Sequence, residues 1–250
     1  MEINIEKAQE EFIKYTKMYD LENEHIKRKQ EHSIRVMKIS KQIAEGLNLS
    51  QEEVEIATLI GLLHDIARFE QYTKYCTFED LESIDHGDYG VDILDKEIRK
   101  YIETDKYDKI IKLAVKNHNK YKIEEGLTEK EELFAKIIRD ADKIDIFYES
   151  VDMFWKGKEE EVSNSKISQP ILEQFENRTQ IKREKGKIIE NLEEIVSVIA
   201  FIFDMNFKAS FDILKNEDYI NKILNRYDIK DEYSRKAVEK IREIANEYVG

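Results

Sequence analysis

The residues that break helices or staple small folds are nearly missing from this chain: its 250 residues include one proline, eight glycines and one cysteine. Strand turns consume glycine and proline while helices avoid them, so their scarcity excludes a β-rich fold and predicts an all-α one. Cys76 on its own excludes an internal disulfide framework and a four-cysteine zinc site. A chain of this length buries roughly 70–75% of its unfolded surface, enough to hold a core without cross-links. No run reaches the ~20 apolar residues that span a bilayer; the longest, Ile195 to Phe207, carries Asp204. With no secretory leader and no disulfide framework, the expected compartment is the cytoplasm. Basic residues are also in deficit, 41 Lys and Arg against 54 Asp and Glu, for a formal net charge of −13. That field repels a polyphosphate backbone, which argues against polymeric nucleic acid as a partner. A small anionic substrate would need metal ions or a few placed cations. The oligomeric state is not readable.

Periodicity agrees with the composition. His32, Val36, Ile39, Ile43 and Leu47 recur at helical spacing and end near Gly46-Leu47-Asn48. Ser50 and Glu53 form a capping box before the apolar helix Val54 to His64, and Thr128 with Glu131 opens another that carries Leu133, Phe134, Ile137, Ile138, Ala141 and Asp142. Further helices are predicted from about Asp85-His86 and over Lys106 to His118. Residues 155–187 hold the only proline and read as a loop-rich excursion with one helix from about Ile171. The apolar stretch Ile188 to Leu214 predicts one buried helix, and the last 30 or so residues predict amphipathic surface helices. The expected organisation is a helical domain over residues 1–150, with residues 151–250 as an excursion and C-terminal helices packed on the same core.

Histidine is the informative residue. There are five, and His32 and His118 fall on apolar helix stripes while His64-Asp65 ends an apolar helix. Asp142 follows Ile138 by four residues on a buried face, where an unpaired carboxylate costs several kcal/mol. A core histidine is ordinarily just hydrogen-bonded, and His-Asp dipeptides occur by chance. One bound metal accounts for all of these at once. Imidazole and carboxylate donors together suit zinc, iron, manganese, nickel or cobalt.

His32, His64-Asp65, His118 and Asp142, the last within Arg139-Asp140-Ala141-Asp142-Lys143, resemble the HD domain superfamily of metal-dependent phosphohydrolases. Gly61-Leu62-Leu63-His64-Asp65-Ile66 is similar to that family's central motif, and the resemblance covers roughly residues 25–150. His86-Gly87 resembles the extra histidine of HD proteins with two metals. The resemblance implies one ion on His32, His64, Asp65 and Asp142 and another on His86 and His118, with Asp65 bridging. The chain departs from the cyclic-di-nucleotide phosphodiesterase subgroup, since His118 stands in Asn117-His118-Asn119 and the Gly-Tyr-Pro signature is missing. Arg68 occupies the position where nucleotidases and guanosine-tetraphosphate hydrolases often carry an acid. If its helix continues past His64, Arg68 reaches the rim of the site and can bind phosphate in a planar fork; the alternative is a salt bridge to Glu70 or another acid. Lys143 has the same two readings; Arg178, Lys182 and Arg183 in the excursion either cover the pocket or form a solvated charged face.

The implied activity is hydrolysis of a phosphate ester, in a nucleotide or small phosphorylated metabolite, by a hydroxide that one or two divalent ions activate. Asp65, Arg68 and Asp145 are the candidate catalytic residues, and Arg68 and Lys143 the candidate substrate contacts. The rival readings are an HD-fold diiron oxygenase, which uses the same six ligands, and a non-catalytic nucleotide-sensing module.

Overall fold

In the computed structural model, residues 3–182 and 190–250 are described, and among them there is helix and no strand. Arg183 lies outside them. The chain divides into two compact units, residues 1–142 and 143–250.

The first unit contains α1 (Ile5–Thr16), α2 (Glu24–Gly46), α3 (Gln51–Leu63), α4 (Arg68–Tyr75), α5 (His86–Glu97), α6 (Asp108–Asn117) and most of α7 (Glu129–Asp152). Local chemistry sets the ends. Ser50 Oγ accepts from Glu53 N at 3.4 Å while Ser50 N donates to Glu53 Oε2 at 3.1 Å. Thr128 and Glu131 repeat that reciprocal pair before α7, at 2.8 and 3.3 Å. α2 stops where Asn48 turns left-handed (φ 55°), with Leu49 N bonded to the Ala44 carbonyl; asparagine tolerates this region better than most residues. Phe12, Ile26, Ile56, Leu59, Leu62, Phe69 and Phe134 form the fully buried interior of this unit.

Two features of this packing decide where the chemistry falls. α2 and α3 pack against each other, and Gly61 permits their approach: a Cβ there would lie 2.6 Å from Ser40 Oγ and 2.8 Å from Met37 Cα. The second is the chain's path at His64, where the helix on which the reach of Arg68 was made conditional does not continue. α3 ends at Leu63, and His64 to Ala67 form turns in which Ile66 N bonds Leu63 O and Arg68 N bonds Asp65 O. The Tyr15 hydroxyl of α1 donates to the Ile66 carbonyl at 3.1 Å, so this carbonyl is satisfied from outside the helix. Edge-to-face contacts of Phe12 and Tyr15 with Phe69 tie α1 to α4.

The second unit holds the end of α7, then α8 (Glu159–Asn164), α9 (Gln169–Glu176), α10 (Asn191–Ile199), α11 (Lys208–Glu217), α12 (Tyr219–Asn225) and α13 (Glu232–Val249). Among its described residues the excursion carries two helices rather than one, and Pro170 sits in the first turn of α9, where its missing N–H costs nothing. The long buried helix expected over 188–214 is interrupted. A 3₁₀ turn, Ala200–Asp204, follows α10, Met205 is extended, and α11 starts afresh at Lys208. Asn206 Nδ2 donates to the Asp204 carbonyl at 3.2 Å, the kind of local side-chain bond that competes with the helical ladder. α13 buries Ala237, Val238, Ile241 and Ala245 on one stripe. Arg178 Nη2 pairs with Glu247 at 3.7 Å, and Lys182 N donates to Gln174 Oε1.

Candidate metal centre

Separate helices bring the six residues together. α2 supplies His32, the turn after α3 supplies His64 and Asp65, the first residue of α5 is His86, His118 caps α6, and Asp142 comes from α7. The four histidines and Asp65 are buried, while the Asp142 side chain is 21% exposed.

Asp65 divides its two oxygens between two histidine pairs. Oδ2 lies 3.5 Å from His32 Nε2 and 3.7 Å from His64 Nε2. Those two nitrogens are 3.2 Å apart, and Asp142 Oδ1 stands 3.2 and 3.7 Å from them. Oδ1 of Asp65 lies 3.5 Å from His86 Nε2 and 3.4 Å from His118 Nε2, which are 3.0 Å from each other. Donors about 2.1 Å from a common ion sit about 3.0–3.4 Å apart in octahedral or tetrahedral arrangements, so both spacings suit coordination.

Hydrogen bonding orients the donors. His64 Nδ1 donates to the Gly61 carbonyl at 2.8 Å and His118 Nδ1 to the Val115 carbonyl at 2.6 Å. His86 Nδ1 donates to the Asp80 carboxylate at 2.6–2.8 Å. These partners can only accept, so each neutral ring carries its proton on Nδ1 and turns the Nε2 lone pair inward. Two such lone pairs 3.0 Å apart repel unless a cation lies between them, and the donor set therefore fits a divalent metal. Burial lowers the pKa of His64, outweighing the pull of Asp65 and Asp142, and burial with the nearby Arg68 lowers that of His86 to about 4. Burial alone would raise the Asp65 carboxyl, but Lys29, His64, His118 and Arg68 hold it well below the usual range. Asp142 is depressed in the same way, its burial outweighed by His32 and His64.

Two residues that sequence reasoning passed over stand at the site. Lys29 lies one turn before His32; its ammonium is 2.8 Å from Asp65 Oδ2 and its side chain is only 17% exposed. The spacing of three residues to His32 was the available signal. Asp80, in a short 3₁₀ turn, is the other, and nothing in its local sequence marks it.

Arg68 lies beside Asp65, with Nε 3.5 Å from Oδ1. The acid it pairs with is Asp80 rather than Glu70: Nη1 donates to Asp80 Oδ1 at 3.1 Å, to the Phe78 carbonyl at 2.6 Å and to Gln71 Oε1 at 2.8 Å. Lys143 is buried with its ammonium 2.7 Å from Asp204 Oδ2, so it has a counter-ion among residues 143–250. Asp145 is fully buried on α7.

A helical unit that gathers histidines and carboxylates around two donor clusters belongs among proteins built to hold divalent metal. Residues 30–146, a little under half of the chain, match the family model of the HD domain, and this segment is an HD domain. No curated protein and no solved structure matches the chain. Among the described residues no helix is long and apolar enough to cross a membrane.

Proposed function

We propose that the protein is a phosphohydrolase that cleaves the phosphate ester of a nucleotide or small phosphorylated metabolite, using two divalent ions. The observation that carries this reading is the division of the Asp65 oxygens between the His32–His64 and His86–His118 pairs. His32, His64, Asp65 and Asp142 would hold one ion; His86, His118 and Asp65 would hold the other. When bound, such ions bring the pKa of water from 15.7 toward about 7 and neutralise charge on phosphoryl oxygens.

The chain's own residues do the rest. The Nδ1 bonds of His64, His86 and His118 keep their Nε2 atoms available as donors. Asp65 stays ionised through the cations around it. Lys29 and Arg68 concentrate positive charge beside that carboxylate in a strongly acidic protein, which favours an anionic substrate over a neutral one. Lys29 has further N–H donors for phosphoryl oxygens beyond the one directed at Asp65. Arg68 contributes charge through Nε, while its Nη1 is engaged by Asp80, Phe78 and Gln71.

The test pairs elemental analysis of protein purified without chelator with a screen of phosphatase and nucleotidase substrates. About two ions per chain and phosphate release under anaerobic conditions are expected. Asp65→Ala should lose both metal and turnover. Turnover by metal-free protein would overturn the reading, and iron with oxygen consumption would replace it with the oxygenase.

A further inference from the structure

The histidines of the cluster are supported in different ways. His64 and His118 each donate from Nδ1 to a backbone carbonyl three residues earlier, so their orientation follows from their own helices. His86 has no such support. It is the first residue of α5, entered from the non-helical stretch 83–85, and its Nδ1 meets side chains rather than a backbone carbonyl: the Asp80 carboxylate at 2.6–2.8 Å and, more distantly, Asn119 Nδ2 at 3.3 Å. That carboxylate collects donors from three other side chains. Arg68 Nη1 at 3.1 Å and Gln71 Nε2 at 2.9 Å reach Oδ1 from α4, and Asn119 Nδ2 reaches Oδ2 at 3.0 Å from just beyond α6. Gln71 Nε2 also bonds Ser83 Oγ and the Ile84 carbonyl, which fastens the same segment.

The geometry points to Asp80 as the positioning residue of the second metal site: by fixing the Nδ1–H tautomer and the ring direction of His86, it makes the His86–His118 pair able to hold an ion. The assignment rests on the two-ion reading above. Asp80 touches neither substrate nor ion; it acts through His86. A carboxylate accepting the Nδ1–H also strengthens Nε2 as a donor, and losing such a support typically costs roughly 10–100-fold in metal affinity. The Gly61 carbonyl, and not Asp80, orients His64, so the loss should be confined to one ion.

The experiment is calorimetric titration with Mn²⁺ alone, together with elemental analysis, on the full chain and on Asp80→Asn, Asp80→Ala, His32→Ala and the combination of His32→Ala with Asp80→Asn. The near-isosteric Asp80→Asn should keep one site at the parent affinity and weaken the other by roughly 10–100-fold; the combination should weaken both. Equal affinity at both sites in Asp80→Asn, or equal weakening of both in a folded variant, would overturn the proposal while leaving the two-ion reading intact. A parent chain that binds no Mn²⁺ would overturn both. An observation that needs no variant is the ¹⁵N spectrum of metal-free protein: protonation of His86 at Nδ1 is expected, and protonation at Nε2 would overturn the assignment even if the Asp80 variants fail to fold.

Discussion

The Lys29 ammonium lies 2.8 Å from Asp65 Oδ2, the same oxygen that faces His32 and His64 at 3.5 and 3.7 Å. The same ammonium lies within cation–π range of the half-buried Phe78 ring, 5.4 Å from Nζ to the centroid. A positive charge is thus anchored on the ligand side of the cluster by α2 itself, one turn from the first histidine.

Lys29→Met removes that charge and keeps most of the side chain's volume. A hydrogen bond to a charged group contributes about 1.5–3 kcal/mol, so kcat/KM toward a phosphate ester should fall roughly 10–100-fold. The bound-metal count should stay at the parent value. Steady-state kinetics beside elemental analysis reads both quantities, and an unchanged kcat/KM would take Lys29 off the substrate's path.

Gly61→Ala tests how closely α2 and α3 must approach. The new methyl would lie 2.6 Å from Ser40 Oγ, 2.8 Å from Met37 Cα and 2.9 Å from the Val36 carbonyl oxygen, and two of these three are backbone atoms. Forced overpacking of this kind costs about 1–3 kcal/mol, and the melting temperature should drop accordingly. Metal affinity should fall with it, because the Gly61 carbonyl orients His64 and α2 carries His32. Scanning calorimetry and Mn²⁺ titration check the pair of effects; a variant that melts with the parent would refute the tight-contact argument.

Glu131 offers a pH signature remote from the metal cluster. Lys109 lies 2.7 Å from Oε1 and the Thr128 N–H donates to Oε2 at 2.8 Å; these contacts, the lysine foremost, lower the carboxyl from 4.5 to about 2. A depressed folded-state pKa means the unfolded chain binds the proton more readily. The stabilisation is therefore fully present above about pH 4.5 and lost as pH falls through about 2. In Glu131→Gln the melting temperature should be lower at neutral pH and should fall less steeply across that acid window. Parallel curves for parent and variant would contradict it.

What could be read from the chain beforehand was what neighbours in sequence determine. Ser50 with Glu53, and Thr128 with Glu131, satisfy each other within one helical turn, so those helix starts are visible as residue pairs. The histidines and aspartates were visible because so few polar residues fall on apolar stripes, and because Gly61 to Ile66 resemble a known motif. The turn at His64–Ala67 was not legible, since it draws on a hydroxyl from α1 some fifty positions away. Asp80 was hidden for the same reason: its partners come from α4, α5 and the end of α6, and the sequence around it is only a short acidic loop. Left-handed helix ends at Cys76 and Asp218 carry no glycine to announce them. The break after Asp204 interrupts a stretch whose composition alone favours continuity.

Tyr15 has a bearing on how the protein can be cut. Its buried hydroxyl donates to the Ile66 carbonyl and accepts from Tyr19 at 2.9 Å, which bolts the loop bearing His64 and Asp65 to a helix upstream of the matched residues 30–146. Lys29 is upstream as well. A fragment trimmed to the family match would carry every histidine of the cluster and yet forfeit both the clamp on its hinge and the cation at its mouth, so any excised module has to retain the leading helix to keep the cluster in register.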